Sequence, residues 1–124
     1  MSEFLLYMSL ILLENCPRRR IHKILDHKWN SMILYLLSQS SLRTGELQRC
    51  MPGISKKMLI QSLKELEGYG LINRKVYEVI PPHVSYSLTD IGKKVVEPLF
   101  MLYEWADQNE DVLDTIESNM QKTK

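Results

Sequence analysis

Long apolar stretches, clustered cysteines and glycine-rich loops are all missing from this 124-residue chain. The longest apolar run, Phe4 to Leu13, is broken only by Ser9 and is about half the roughly 20 residues a membrane helix needs. No basic residue precedes it, and Glu14, Asn15 and Cys16 follow where a signal peptide would carry small residues. Two cysteines, Cys16 and Cys50, are too few and too far apart for a disulfide framework or a cysteine-rich zinc site. A reducing, cytoplasmic compartment is the expectation, with no membrane contact. Five glycines and five prolines, set against 44% hydrophobic and 25% charged residues, exclude disordered and low-complexity classes. The length suits one globular domain.

Catalytic signatures are missing too. There is no Gly-rich phosphate loop, Gly-x-Ser-x-Gly elbow or His-Glu-x-x-His motif. His22, His27 and His83 have no partners at metal-ligand spacing beyond a loose grouping of Cys16, His22 and His27. No enzyme, no metal and no cofactor is expected.

What the chain does have is charge polarity. The net charge is +1, yet residues 18–75 carry twelve Lys/Arg against four Asp/Glu, whereas residues 76–124 carry four against nine. The basic middle is a candidate for binding a polyanion.

Periodicity divides that middle into short helices. Pro17 suits a first helical turn, and a helix runs from it to about Leu25. A second begins near Trp29 and buries Met32, Ile33, Leu36 and Leu37. After Ser38-Gln39-Ser40-Ser41, a short helix with Leu42, Leu47 and Met51 stops at Pro52-Gly53, and Ser55 caps a longer one from Lys56 to about Glu67. Two helices joined by a tight turn containing Gly form a helix-turn-helix. On the longer helix Leu59, Leu63 and Leu66 make the buried stripe; Lys57, Gln61 and Lys64 lie opposite, with Lys56 and Ile60 on one flank. Long cationic donors, an amide able to pair adenine and an aliphatic group for a thymine methyl are the side chains a DNA-reading helix uses. A winged-helix module binding protein instead of DNA would place an apolar or acidic face there.

Leu71 to Ile80 reads as a strand, Pro81-Pro82-His83 as a break that forbids ladder pairing, and Val84 to Leu88 as the hairpin's second strand. Thr89 caps a further helix, with Asp90 in its first turn and Pro98 as a possible kink. Its apolar residues, Ile91 through Val95, Val96, Leu99, Phe100, Met101, Leu102, Tyr103, Trp105 and Ala106, cover more of the circumference than one core needs. The same is true of Phe4 to Leu13, so both segments call for a second copy of the chain. An acidic helix or tail, Glu110 to Lys124, closes the chain. The expected fold is mainly α with a small β-hairpin: a dimerisation helix over 1–15, a winged helix-turn-helix over 16–89, and a dimerisation helix with acidic tail over 90–124.

Linked motifs carry a resemblance. Cys16-Pro17, Lys28-Trp29, Arg43, Glu46-Leu47, Pro52-Gly53-Ile54-Ser55, Lys57-Met58-Leu59, Leu63-Lys64-Glu65-Leu66-Glu67, Gly70-Leu71-Ile72, Arg74, Tyr77, Pro81-Pro82, Tyr86-Ser87-Leu88-Thr89, Gly92 and Trp105 stand in order and at spacing. In these the chain resembles the HxlR-type winged helix-turn-helix transcription regulators of prokaryotes, relatives of the MarR group. It departs from them in having Asp26-His27 where two glycines are usual, a turn those residues would keep by tolerating positive φ. Thr44 replaces an aromatic residue, Ser85 a glutamate, and His83 a basic wing residue.

The resemblance implies a symmetric dimer on a roughly palindromic duplex, with Ser55, Lys56, Lys57, Ile60, Gln61 and Lys64 on the recognition helix and Arg43, Arg74, Lys75 and His83 in support. Arg74 has a second reading, a pairing with Glu67 or Glu78, and Ser55 has one as a cap only. The resemblance also makes Cys16 a candidate thiol sensor, since Arg18, Arg19, Arg20 and a helix start would favour its thiolate; a small buried residue is the other reading. A regulator answering a small-molecule effector without thiol chemistry stays open. Cys50, flanked by core positions, is read as packing.

Overall fold

A computed structural model describes residues 2–6 and 16–122. Residues 3–6 are helical; the rest of the apolar segment, residues 7–13, lies outside the described residues. Helices α1 (Pro17–Ile24) and α2 (Lys28–Gln39) are followed by a short strand, β1 (Leu42–Arg43), and then by α3 (Thr44–Cys50) and α4 (Lys56–Gly68). Strands β2 (Ile72–Tyr77) and β3 (His83–Leu88) form the hairpin, and α5 (Asp90–Gln108) and α6 (Glu110–Lys122) complete the chain.

The starts of α3, α4 and α5 have local causes. Ser55 Oγ accepts the Met58 N–H at 3.1 Å, and Thr89 Oγ1 accepts the Gly92 N–H at 3.0 Å, so one orphan donor of each first turn is satisfied. The Arg43 N–H donates to Glu46 Oε1 at 2.8 Å where α3 begins. Between α3 and α4 the chain reverses at Gly53, whose φ of 93° is cheap only for glycine. At the end of α4 the Tyr69, Gly70 and Leu71 N–H groups return to the carbonyls of Glu65, Glu67 and Leu66, with Gly70 at φ 75°.

The core is built from the inward faces of four helices and one face of the sheet. Ile33, Leu34 and Leu37 of α2, Leu47 of α3, Leu59, Leu63 and Leu66 of α4, and Val96 and Leu99 of α5 are buried together with Leu71, Ile72 and Tyr86. Burying each of these large aliphatic side chains contributes roughly 1.5–3 kcal/mol. Tyr35 of α2 packs edge-on against Phe100 and Tyr103 at centroid distances of 5.3 and 4.9 Å, holding α5 across α2.

Expectation and structure part at several points. Leu42 is in a strand instead of a helix, because β1 adds to the hairpin edge with Leu42 opposite Tyr86 and Arg43 opposite Ser85. The sheet is antiparallel in the order β1-β3-β2. His83 does pair, opposite Tyr77; the prolines before it lie in the connection, so its own N–H is unaffected by them. Asp26 and His27 turn the chain without positive φ, which occurs only at glycines among the described residues. Helix α5 is continuous through Pro98, and α6 buries none of its side chains. Helices α3 and α4 followed by the β2–β3 wing make a winged helix-turn-helix.

One contact links wing, core and C-terminal helix. The Leu71 carbonyl accepts the Thr89 N–H at 3.0 Å, and a Cβ placed on Gly92 would come within 2.1 Å of that oxygen. Gly92→Ala is therefore expected to lower the unfolding free energy by about 1–3 kcal/mol. Gly68→Ala, where an added Cβ meets nothing within 4 Å, should raise it by about 0.4–1 kcal/mol. Urea denaturation of both variants at one protein concentration separates these outcomes; equal midpoints would show that the Leu71 carbonyl yields.

Candidate nucleic-acid interface

Helix α4 owes its orientation to its leucine stripe, which leaves a defined row outside. Lys56, Lys57, Gln61 and Lys64 are exposed and Ile60 is half-buried. Together with Glu65 they line one open groove along the helix. Ser55 is exposed and spends its hydroxyl on the cap of α4, and from that position its side chain also marks the N-terminal end of the row.

The register of the sheet sorts the remaining candidates. Adjacent residues of a strand point to opposite faces. Leu42, Tyr86 and Arg74 occupy one row across the three strands, and Arg43, Ser85 and Lys75 the next. Arg74 thus lies on the face that carries buried Tyr86, where it lines a second groove with Ile60, Lys64 and Glu67. No ion pair joins it to Glu67 or Glu78 among the described residues, so the pairing reading has no support and its guanidinium extends the cationic row of α4. Arg43 and Lys75 lie on the opposite face of the sheet. They are joined there by His83, whose ring stacks on Tyr77 at 4.5 Å with an interplanar angle of 19°, while Lys75 Nζ sits 4.9 Å from the Tyr77 ring centre. The ten candidates therefore fall into two groups, one along α4 with Arg74 and one on the outer face of the three-stranded sheet.

A polar junction supports α4 from behind. Asn30, fully buried, donates from Nδ2 to the Ile24 carbonyl at 3.2 Å and to Glu65 Oε2 at 3.3 Å. His27 Nε2 stands 3.5 Å from that same carboxylate oxygen, close enough for an ion pair when protonated but too far for a good hydrogen bond. Among the described residues Asn30 Oδ1 has no hydrogen-bond partner, and an unpaired buried oxygen costs about 1–3 kcal/mol. Nothing in the charge or motif pattern singles out Asn30. The available signal is its spacing, one turn before Ile33 and Leu34 and two before Leu37, a polar residue in an apolar stripe.

Cys16 stands just before α1 and is 9% exposed. The Arg18 backbone N–H holds its thiol below the ordinary value; burial opposes this, and the Arg18 side chain and the Arg19 N–H add to the lowering. Arg18 Nη1 lies 4.0 Å from Sγ. Cys50 is exposed, not packed, because it lies at the last turn of α3 with Leu47 and Met51 taking the inward positions. Among the described residues no group of three His, Cys, Asp or Glu is placed to hold a metal ion, and no helix is long and apolar enough to cross a membrane.

Comparison with known proteins places this arrangement. A family model for the HxlR-like helix-turn-helix matches residues 24–114. The HTH-type transcriptional regulator YtfH of Escherichia coli K12 is 43% identical over 96 residues, 77% of this chain and 76% of that one. A MarR-family regulator structure from Porphyromonas gingivalis W83 superposes with a TM-score of 0.75 at 42% identity, covering 78% of this chain and 95% of that one. The redox regulator HypR in its reduced form gives a TM-score of 0.75 at 33% identity, with 80% and 98% covered. The chain belongs to the HxlR-like helix-turn-helix family: it is a transcriptional regulator of the helix-turn-helix type, and not an enzyme.

Proposed function

We propose that this regulator binds a pseudo-palindromic operator as a homodimer, reads it with α4, and changes affinity when Cys16 is modified. The observation that carries the reading is the row Lys57, Gln61 and Lys64, exposed on a helix whose opposite side is locked by three buried leucines. Gln61 offers both a donor and an acceptor to an adenine edge, and Ile60 an aliphatic surface to a thymine methyl. Ser55, Lys56, Lys57, Lys64 and Arg74 supply phosphate contacts along the same groove, with Lys75 and His83 on the wing and Arg43 on β1 as backbone contacts. In this reading residues 16–89 bind DNA in the cytoplasm, and Phe4 to Leu13 and Val95 to Trp105, within the flanking segments 1–15 and 90–124, join the protomers.

Dimerisation is favoured by apolar surface that the single chain leaves open. Phe4, Leu5 and Leu6 are exposed, and on α5 Ile91, Phe100, Met101, Leu102 and Trp105 are too, Met101 to 72%. Such a patch is unusual on a monomer and suits a two-fold interface. Sedimentation at micromolar concentration should give about 29 kDa, twice the 14.6 kDa chain; a clean monomer overturns the dimer.

A two-fold dimer sets its reading helices about 34–36 Å apart, one turn of duplex. Gln61→Ala should cost about 1–3 kcal/mol on the selected operator and little on scrambled DNA. Lys56→Ala or Lys75→Ala should weaken both and flatten the log affinity against log salt by about one unit per protomer. A salt-series titration measures all three. Equal loss on both duplexes for Gln61→Ala would remove α4 as the reader.

The thiol response rests on the lowered Cys16 thiol and on the likeness to HypR, itself a redox regulator. With a quinone, the sulfur–carbon bond forms as the thiol proton passes to one ring oxygen, and the proton of the attacked ring carbon moves to the other, giving the hydroquinone adduct. With a peroxide, the thiolate attacks one oxygen, the O–O bond breaks, and the second oxygen leaves as water or an alcohol, leaving the sulfenate. Cys16→Ser should keep the untreated affinity and lose the shift that quinone produces in a gel-shift assay. Loss of the shift in Cys50→Ser instead would assign the chemistry to the other thiol.

A further inference from the structure

We infer that Asn30 is a positioning residue for operator reading: its amide ties the C-terminal end of α1 to Glu65 of α4, so the set of the reading helix depends on α1. This rests on α4 being the reader.

The last carbonyls of a helix have no intrahelical partner, and Ile24 is the last residue of α1. Asn30 Nδ2 carries two hydrogens; one meets the Ile24 oxygen at 3.2 Å, the other Glu65 Oε2 at 3.3 Å. Both neighbours are acceptors only, so the amide nitrogen, not the oxygen, must face them. With Asn30 fully buried, no water can stand in for either bond. Its backbone N–H is held as well, donating to the His27 carbonyl at 3.2 Å.

Among the described residues Glu65 is the one acid lining the α4 groove, beside Gln61 and Lys64. A free carboxylate there would swing toward incoming phosphates and repel them. Held by Asn30, with His27 Nε2 at 3.5 Å from the same oxygen, it is kept against α2 and becomes a tether. The same bond carries displacement in the other direction, since α1 cannot shift its last turn without pulling on Asn30 and hence on α4. Helix α1 is also the helix that starts beside Cys16.

The test compares Glu65→Ala with Glu65→Gln, both at a part-exposed position, with far-UV circular dichroism and a melting curve confirming that each is folded. The ligands are a duplex selected by the wild-type protein from a random library and its scrambled counterpart. Gln keeps an acceptor for Asn30, so binding to both duplexes should rise alike and their ratio stay at the wild-type value. Ala removes the acceptor, and the ratio should fall about tenfold, the scale of one lost hydrogen bond to a charged group. Equal behaviour of the two variants would mean that Glu65 acts by charge alone and overturns the tether. A wild-type ratio of one, or a ratio that Gln61→Ala leaves unchanged, overturns instead the reading of α4 beneath it. Amide exchange supplies the second readout. Operator binding should slow exchange at the Leu25 N–H, which closes α1 onto the Ile21 carbonyl, in wild type and Gln but not in Ala. An α1 indifferent to operator in the wild type overturns the link.

Discussion

The packing of Leu59, Leu63 and Leu66 against Ile33, Leu34 and Leu37 is the constraint on which the rest of the molecule depends. It is apolar and close-packed, so α4 has one rotational setting about its own axis; a rotation by one residue would bury a lysine and expose a leucine. That setting decides which side chains face outward, and it also brings Glu65 to the flank where Asn30 reaches it. The exposed cationic row is thus a consequence of the core and not a separate feature laid over it.

The sheet extends this logic with a period of two. Because β1 and β2 both pair with β3, the two rows that β1 reaches each hold three residues whose side chains share a face. Tyr86 anchors one row in the core, and Arg74 leaves that row at the edge nearest α4. The next row carries Arg43 and Lys75 away from it. Cations adjacent in sequence, Arg74 and Lys75, are therefore sent to different surfaces, and a charge count cannot distinguish them.

The outer helices obey a different balance. Helix α5 uses Val95, Val96, Leu99 and the aromatic contacts of Tyr35 for the core of its own chain, which leaves Ile91, Met101, Leu102, Trp105 and much of Phe100 exposed. Such surface is costly in water unless covered. At the other end, Cys16 combines low exposure with the nearby N–H groups of Arg18 and Arg19. Burial alone would favour the neutral thiol; the donors aimed at sulfur prevail.

The order of helices, the turn at Pro52-Gly53, the caps Ser55 and Thr89, the leucine stripe and the hairpin were legible in the sequence, because each arises from interactions within a few residues of chain. The outward set on α4 was legible for the same reason: once the stripe is known, the opposite face follows from 100° per residue. Tertiary structure alone decided the rest. Leu42 became a strand residue because β3 offered it a ladder, Cys50 was exposed because Leu47 and Met51 took the inward places, and Arg74 joined α4 through a register set by pairing partners more than ten residues away. Asn30 is the clearest case. Its partners, Ile24 and Glu65, lie 6 and 35 residues from it, and no local periodicity can announce a hydrogen bond that exists only after three helices have packed.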